Sequence, residues 1–221
     1  MDSADQSPPI APRENYIREA HGVSTQDPWF WLRNREDPRV LEYLRAENDW
    51  TDFSTSHLND LTGSLFSEIK SRVNEEDQSV PVPKDHWEYL VRTGTGLQYP
   101  LHIRRSRDQP ESEKVLLDEN ELAKDEGYFA IGDLSVSPDH KRLAYTVDTE
   151  GNEEYELTVL DIESGQEIDS GIDGLSYGLV WANDSTNLFL VKTDDAHRPN
   201  RVLRHAVGTA SSKDVVVFQE D

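Results

Sequence analysis

Residues 174–178 (GLSYG) have the form G-x-S-x-G, in which many hydrolases place a nucleophilic serine. Such a serine works only where an apolar strand leads into it and a helix follows, because the sharp turn exposes the hydroxyl and the helix N-terminus helps to form the oxyanion hole. Here the approach, residues 169–174, is polar and glycine-rich, and residues 179–181 (LVW) leave as a strand. We therefore expect Ser176 to lie in a turn between two repeated units and not to act as a nucleophile.

Acidic residues and histidines do follow Ser176 in the order that α/β-hydrolases use, namely Asp194 or Asp195 and then His197 or His205. They follow within about twenty to thirty residues, which leaves no room for the sheet that holds a Ser-His-Asp triad apart and aligned. We assign no catalytic residue to this chain. The many acidic side chains could form carboxylate pairs in numerous ways, so we nominate none for acid/base chemistry either.

One loop alternates oxygen-bearing side chains in a way that could suit Ca²⁺: Asp148, Glu150, Asn152 and Glu154. Gly151 stands at the wrong place for the order of an EF-hand, so a solvated hairpin loop is the better interpretation. A second cluster, made of Asp194, Asp195 and His197, is interpreted in the same way. We assign no metal ion to either cluster.

His57 lies near Ser54 and Ser56, a grouping that resembles part of a nucleophilic site. It also ends an apolar helical stripe, where a histidine needs only one hydrogen-bond partner. We expect a packing role for it.

Residues 94–96 (GTG) lack the third glycine and the following helix of a dinucleotide-binding loop. They predict a hairpin turn between strands at residues 87–92 and 99–104. No cofactor is predicted.

Two amphipathic helices are predicted near the N-terminus. Asp37 is a good N-cap and Pro38 fits the first helical position, where its missing N–H costs nothing. Apolar residues then recur at three- and four-residue steps along one face, at Val40, Tyr43, Leu44, Ala46, Trp50, Phe53 and His57, and again at Leu58, Leu61, Leu65, Ile69 and Val73. Just upstream, residues 27–32 (DPWFWL) hold three aromatics, which we expect to dock against a larger surface.

From Val80 onward, prolines and short β-prone runs replace the helical pattern. The predicted strands are residues 87–92, 99–104, 114–117, 132–136, 142–147, 154–161, 179–181, 188–192, 201–206 and 215–219. Their turns are rich in Gly, Asn, Asp and Pro, which is typical of an antiparallel all-β meander.

This β region repeats itself at a spacing of 45 residues. Residues 136–145 (VSPDHKRLAY) align with residues 181–190 (WANDSTNLFL), so that Asp139 matches Asp184 and Leu143 matches Leu188. A period in the forties with four short strands favours a propeller blade over a sandwich, whose strands have similar spacing but no such period. The predicted blades are residues 77–130, 131–176 and 177–221, and three blades are too few to close a ring.

Charge and composition exclude several function classes. The 44 acidic and 22 basic side chains give a net charge of −22, which repels nucleic acid and anionic lipid. Solubility or a salty habitat explains this acidity better than a cationic partner or substrate does. The chain has no cysteine, no apolar run long enough to span a membrane and no signal-peptide pattern in residues 1–12, so we expect a cytoplasmic protein.

Six strings in order resemble the N-terminal region of the prolyl oligopeptidase family, closest to its oligopeptidase B branch. They are residues 27–33 (DPWFWLR), 40–48 (VLEYLRAEN), 68–77 (EIKSRVNEED), 96–100 (GLQYP), 136–140 (VSPDH) and 147–155 (VDTEGNEEY). The resemblance runs from about Pro12 to the C-terminus.

This resemblance implies a mainly β fold, a partial seven-bladed β-propeller of about three blades preceded by an α-helical segment. It implies a helical segment at residues 13–76 that packs on a hydrolase domain and an incomplete propeller at 77–221, after a tail at residues 1–12 whose Ser, Pro and Asp content predicts disorder. Family members are serine endopeptidases whose propeller restricts entry to short peptides, and this branch cleaves after Arg or Lys. Their Ser, Asp and His lie in a C-terminal α/β-hydrolase domain beyond the residues matched here, so we expect a fragment that is inactive alone. The alternative is an interaction module completed by oligomerisation or by a partner chain.

Overall fold

The computed structural model describes residues 7–220. The chain forms two compact units, Met1–Asn74 and Glu75–Asp221, whereas the sequence placed a boundary near residue 76. Residues 1–6 of the predicted tail lie outside the described residues, and residues 7–12 have no regular secondary structure. Among residues 7–220, no helix has the length and apolarity needed to cross a bilayer.

The N-terminal unit begins with a hairpin that the sequence did not predict. Strands β1 (Ile17–Ala20) and β2 (Val23–Gln26) pair antiparallel, and all eight of their residues are exposed. A 3-10 turn at Phe30–Arg33 follows, then helix α1 (Pro38–Thr55), a 3-10 turn at Ser56–Leu58, and helix α2 (Asn59–Lys70).

The predicted start of the first helix is confirmed. The Asp37 carboxylate accepts a hydrogen bond from the Arg39 backbone N–H at 3.0 Å, and Pro38 is the first helical residue. This cap satisfies one of the backbone donors that a helix N-terminus leaves without a partner.

The three aromatics of residues 27–32 divide between burial and exposure. Trp31 is buried, and its indole N–H donates to the Pro12 carbonyl at 2.9 Å. Phe30 stacks on Tyr16 with ring centroids 3.8 Å apart. Trp29 remains 45% exposed, beneath the guanidinium of Arg13. Within the described residues, the predicted docking of all three rings is therefore met only in part.

The predicted apolar faces of the two helices are present but uncovered within the N-terminal unit. Val40 is the only buried residue of α1, and α2 has none among its described residues. The exposed apolar side chains are Leu41, Leu44, Phe53, Leu58, Leu61, Leu65, Phe66, Ile69 and Val73. The described residues of this unit, 7–74, thus leave the helical stripe unpacked.

The C-terminal unit is an antiparallel meander. Its strands are β3 (Asp77–Gln78), β4 (Val82–Lys84), β5 (Trp87–Thr93), β6 (Leu101–Ser106), β7 (Lys114–Asp118), β8 (Ala130–Val136), β9 (Arg142–Asp148), β10 (Tyr155–Asp161), β11 (Glu167–Trp181), β12 (Asn187–Thr193), β13 (Pro199–Ala206) and β14 (Val215–Gln219). A short helix, α3 (Glu119–Leu122), follows β7. Strands β3 to β7 form one sheet, and β8 to β14 form a second sheet in simple sequence order.

Strand β11 corrects the prediction for Ser176. It is a single strand of 15 residues, so the serine lies within a strand and not in a turn. Its first part pairs with β10 as far as Leu175, and its last part pairs with β12 from Leu175 to Trp181. The glycine-rich sequence is typical of a turn, so local propensity predicted one. The segment is extended because β10 pairs with the part before Ser176 and β12 pairs with the part after it.

The strand pairing divides the meander into three blades of a partial propeller. The first blade contains β4 to β7, with β3 beside the end of β5. The second contains β8, β9, β10 and the first part of β11, and the third contains the last part of β11 with β12, β13 and β14. Within residues 7–220 the sheets do not close into a ring, as the sequence predicted.

The apolar cores lie between successive blades, because alternate residues of a strand face opposite sides of its sheet. Leu143 and Tyr145 of β9 pack with Leu117 of the first blade. Ala144 of β9 lies on the other side, in a cluster that includes Leu188 of the third blade.

Candidate functional site

Ser176 lacks the surroundings of a nucleophile elbow. It is half-buried in β11, and the chain continues from it as strand to Trp181, so no helix N-terminus follows the serine. The glycines on either side, Gly174 and Gly178, have φ of 62° and 118°, which fits a shift of strand register at this point. Within residues 7–220, the Ser176 hydroxyl makes no hydrogen bond to a histidine.

The histidines that follow Ser176 in the sequence are committed elsewhere. His205 is fully buried, with Nε2 2.7 Å from Asp169 Oδ2 and Nδ1 2.7 Å from Asp214 Oδ1. A general base must present a free ring nitrogen to the serine, and His205 has none. His197 is exposed, and its Nδ1 lies 3.7 Å from Glu154 Oε1.

The loop after β9 uses its key carboxylate internally. Both oxygens of the buried Asp148 accept backbone N–H bonds: Oδ1 from Glu150 and Gly151 at 2.8 Å each, and Oδ2 from Glu153 at 2.9 Å. Asn152 Oδ1 likewise accepts from the Glu154 N–H. These oxygens therefore shape the hairpin loop, and a metal ion would have to displace their present donors.

The Asp194 cluster is also organised by its own turn. Asp194 Oδ1 accepts from the backbone N–H groups of Ala196 and Arg198, and Oδ2 accepts from the Arg198 guanidinium at 2.8 Å. The Arg198 backbone N–H, followed by the Arg198 side chain, holds the pKa of the Asp194 carboxyl below its usual value. The carboxylate is a turn-forming acceptor.

The hairpin turn predicted at residues 94–96 is present, whereas the packing expected of His57 is not seen within the described residues. The His57 ring is exposed, and Nδ1 lies 3.0 Å from the Ser54 carbonyl oxygen of its own helix. The hydrogen-bond partner is thus present, whereas burial is absent within the described residues. Residues 94–96 connect β5 to β6, which pair antiparallel from Trp87 with Ser106 to Arg92 with Leu101.

Several polar groups converge at the seams between blades. At the first seam, the His140 ring bridges Tyr89 of the first blade, at 2.7 Å from Nδ1, and Asp85, at 2.9 Å from Nε2. Arg104 donates to the His140 carbonyl at 2.8 Å and lies 3.9 Å above the Trp87 ring. His140 is able to offer its carbonyl and ring together because it turns the chain at φ 60°.

This seam shifts two pKa values in opposite directions. The hydrogen bond from His140 lowers the pKa of the Asp85 carboxyl. Burial raises the pKa of the Tyr89 hydroxyl, against an opposing effect of the Arg104 cation. A raised pKa keeps the tyrosine hydroxyl protonated, which is the opposite of what a nucleophile needs. The contacts of this seam join the first blade to the second.

The second seam repeats this design one period later. Ser185 turns the chain at φ 60°, as His140 does, and its carbonyl accepts from the Arg142 guanidinium. The Gly178 N–H donates to Asp133 Oδ2 at 2.6 Å across a separation of 45 residues, and the Trp181 indole donates to the Ser135 carbonyl at 3.0 Å. The repeat seen in the sequence is therefore a repeat of blade-to-blade contacts.

A pair of tyrosines lies beside the second seam. The buried Tyr155 donates its hydroxyl to the Tyr177 hydroxyl at 2.7 Å, and Tyr177 is 57% exposed. Burial, and then the Tyr177 hydroxyl, raise the pKa of Tyr155. Sequence reasoning missed these seam residues, although the 45-residue alignment placed Gly178 opposite Asp133 and offered a signal for that contact.

Comparison with known proteins places these features in a family. A family model described as "Prolyl oligopeptidase, N-terminal beta-propeller domain" matches residues 8–221. The chain is 33% identical over 239 residues to dipeptidyl aminopeptidase BI of Pseudoxanthomonas mexicana, covering 99% of this chain and 33% of that protein. It is 29% identical over 219 residues to protease 2 of Moraxella lacunata, covering 96% of this chain and 32% of that protein.

Solved structures agree with this placement. Oligopeptidase B from Leishmania major superimposes with a TM-score of 0.88 at 28% identity, over 98% of this chain and 33% of that one. Oligopeptidase B from Trypanosoma brucei, with covalently bound antipain in its closed form, gives 0.85 at 30% identity over the same shares. The chain thus spans about a third of the length of the proteins it matches.

Proposed function

Because this chain belongs to the prolyl oligopeptidase family, in the region of its N-terminal β-propeller, we propose that it covers the active site of a serine oligopeptidase. The observation that carries the proposal is the stacking of successive four-stranded blades through repeated seam contacts, over the residues that the family model matches. The proposed role is to control access, so that short peptides enter and folded proteins do not.

The uncovered helical face has a place in this proposal. Leu61, Leu65 and Ile69 of α2 are 56%, 48% and 66% exposed, which is much apolar surface for a soluble unit to leave in water. We propose that a C-terminal α/β-hydrolase domain covers it in the longer protein. That domain would supply the Ser, Asp and His that the seams and turns of this chain do not offer.

The proposed substrates are short peptides cleaved after Arg or Lys, as in the oligopeptidase B branch. A net charge of −22 favours cationic peptides near the protein. One relative is named a dipeptidyl aminopeptidase, so removal of N-terminal dipeptides is the competing mode of cleavage. A cytoplasmic location completes the proposal, since a chain without cysteine suits a reducing compartment.

The first experiment assays the 221-residue chain with fluorogenic peptides that carry Arg or Lys before the scissile bond. We expect no hydrolysis above the buffer rate, and Ser176→Ala serves as the matched variant. Hydrolysis that this substitution abolishes would overturn the assignment of catalysis to another domain.

A second experiment uses the natural polypeptide purified from its source. Mass mapping shows whether a hydrolase domain follows residue 221, and paired substrates with blocked and free N-termini separate the two modes of cleavage. Cleavage of the blocked substrate after Arg or Lys supports the endopeptidase. Cleavage of only the free substrate, with release of dipeptides, favours the aminopeptidase.

The open face of the third blade supports a second candidate, an interaction module completed by another chain. Val180 and Phe218 on this face are 60% and 59% exposed. Size-exclusion chromatography with light scattering distinguishes the candidates: a discrete oligomer supports the module, and non-specific association or a poorly cooperative monomer supports the incomplete propeller.

A further inference from the structure

Three charged residues occupy one position of the repeat, at or beside the start of the outermost strand of each blade. Lys114 begins β7, Asp169 lies near the start of β11, and Asp214 immediately precedes β14. Their separations are the 55 and 45 residues that also separate Asp85 from His140 and Asp133 from Gly178 across the seams. The three side chains are therefore structural equivalents.

At the first seam this position forms a simple cationic contact. The Lys114 ammonium donates to the carbonyl oxygens of Ile162 and Glu163, at 2.6 and 3.0 Å, in the turn that follows β10 of the second blade. One lysine thus reaches the next blade's turn.

At the second seam the charge is reversed and a histidine is inserted. Asp169 Oδ2 accepts from the Gly208 N–H, in the corresponding turn of the third blade, and also faces His205 Nε2. His205 Nδ1 faces Asp214 Oδ1 of its own blade. The position equivalent to His205 in the second blade is Leu160, so the histidine is specific to the third blade.

The burial and the contacts of this cluster bear on its charge. His205 is 0% exposed, and the side chains of Asp169 and Asp214 are only 8% and 6% exposed. An ionised carboxylate oxygen only accepts hydrogen bonds, so two ionised carboxylates at 2.7 Å would need both ring nitrogens to donate. A ring that donates twice is an imidazolium, and charge-assisted bonds of this kind are the strong ones.

We propose that His205 is a buried cation that locks the outer edge of the third blade to the second blade through Asp169 and Asp214. The lock acts separately from the apolar core between these blades. Losing the cation would leave two buried carboxylates without a counter-charge, which is strongly unfavourable. Strands β13 and β14 would then separate from β11 before the rest of the unit unfolds.

The direct test is nitrogen-15 NMR of the histidine rings in the 221-residue chain at neutral pH. We expect His205 to show two protonated ring nitrogens, each with a slowly exchanging proton, unlike the exposed His197. A single protonated nitrogen on His205 would overturn the proposal, because one carboxylate would then have to carry the missing proton.

Substitutions test the lock independently of the spectrum. His205→Gln removes the charge, Asp169→Asn removes one acceptor charge at nearly constant shape, and His197→Gln is the exposed control. Based on the cost of unpairing buried charges, each lock variant should lower Tm by about 10 °C and the control by about 1 °C at most.

Hydrogen exchange then localises the effect. We expect faster exchange in β13 and β14 of Asp169→Asn with unchanged protection in β5 and β6, and a double variant that loses less than the sum of the two single variants. If His205→Gln does not fold, Asp169→Asn and the wild-type spectrum still decide the question. Additive effects, or unchanged exchange in β13 and β14, would contradict the lock.

Discussion

Strands β9 and β12 hold the same position in the second and third blades, yet they are buried differently. In β9, Leu143, Ala144, Tyr145 and Thr146 are all buried, so both faces of the strand are covered. In β12 burial alternates, with Leu188 and Leu190 at 0% exposure and their neighbours only half-buried. The difference shows that an inner blade packs its two faces against the blades on either side. Within the described residues, the third blade has a neighbouring blade on one side.

On the open face of the third blade, apolar residues of neighbouring strands lie opposite one another. Phe189 of β12 pairs with Val180 of β11, and Val202 of β13 pairs with Phe218 of β14. In the second blade the equivalents of Phe189 and Val202 are Ala144 and Leu157, which are fully buried. The open face of the third blade is therefore suited to packing against another blade.

The sharpest test of this comparison is a pair of core truncations. Leu143→Ala should reduce the free energy of unfolding by about 2–5 kcal/mol, because it leaves a cavity between two blades. Phe189→Ala should cost about 1 kcal/mol, since its side chain lies on the open face and is only partly buried. Urea denaturation of both variants measures the difference. Equal losses would mean that the face of Phe189 is covered in solution.

The sequence predicted most of this architecture because the relevant signals are local. The N-cap at Asp37, the bounds of the last strand at residues 215–219 and the 45-residue period all depend on residues close together in the chain or on direct self-similarity. The family resemblance, which the comparisons confirm, rests on short strings of the same kind.

The local hairpin of β1 and β2 was missed, but much of what the sequence did not predict depends on tertiary contacts. The first part of β11 is glycine-rich and polar, and it is a strand because β10 pairs with it. The charged link through His205 joins three residues that lie 36 and 9 positions apart, in a pattern that no motif describes. Side-chain partners of this kind become visible only when the blades are packed.

A second test concerns how tightly the second blade is packed. A Cβ on Gly132 would lie 2.6 Å from the Tyr155 ring and 2.7 Å from Thr146 Oγ1, whereas a Cβ on Gly127 would meet nothing within 4 Å. Gly132→Ala should therefore cost about 1–3 kcal/mol of unfolding free energy, and Gly127→Ala less than about 0.5 kcal/mol. Thermal and urea unfolding of the two variants give the comparison. A neutral Gly132→Ala would show that the inner strand of this blade moves freely.

A third test uses acid to compare the equivalent turns of the two blades. The Thr186 backbone N–H, then the Asn187 side chain and N–H, hold the pKa of Asp184 at about 2. Burial raises the pKa of Asp139, but Ser137 and the Lys141 N–H outweigh it and leave that pKa lowered. Because both folded-state pKa values lie below the unfolded value, both carboxylates stabilise the fold above about pH 4 and lose this contribution in acid.

We expect Asp184→Asn to be less stable than the wild type above about pH 4, and we expect this loss of stability to shrink as the pH falls toward 2. Asp139→Asn, in the second blade, should behave in the same direction. Urea midpoints measured across pH 2–5 give the result, and carboxyl carbon-13 NMR locates each titration. A difference that is constant over this range would show that the Asp184 turn gains nothing from ionisation.

The smallest expected effect on stability concerns the edge strand β14. Here the measured quantity is the association of the chain with other molecules. Val215, Val216, Val217 and Phe218 are 45% to 59% exposed and lie on an edge that offers free backbone groups to another strand. Val217→Lys should change the unfolding free energy by less than about 0.5 kcal/mol while reducing association, because a charge on an edge strand opposes strand pairing. Val80→Lys, at an 84% exposed site away from this edge, is the matched control. Sedimentation velocity over a range of concentrations compares the two, and equal association of both variants would show that the third blade meets other molecules through a different surface.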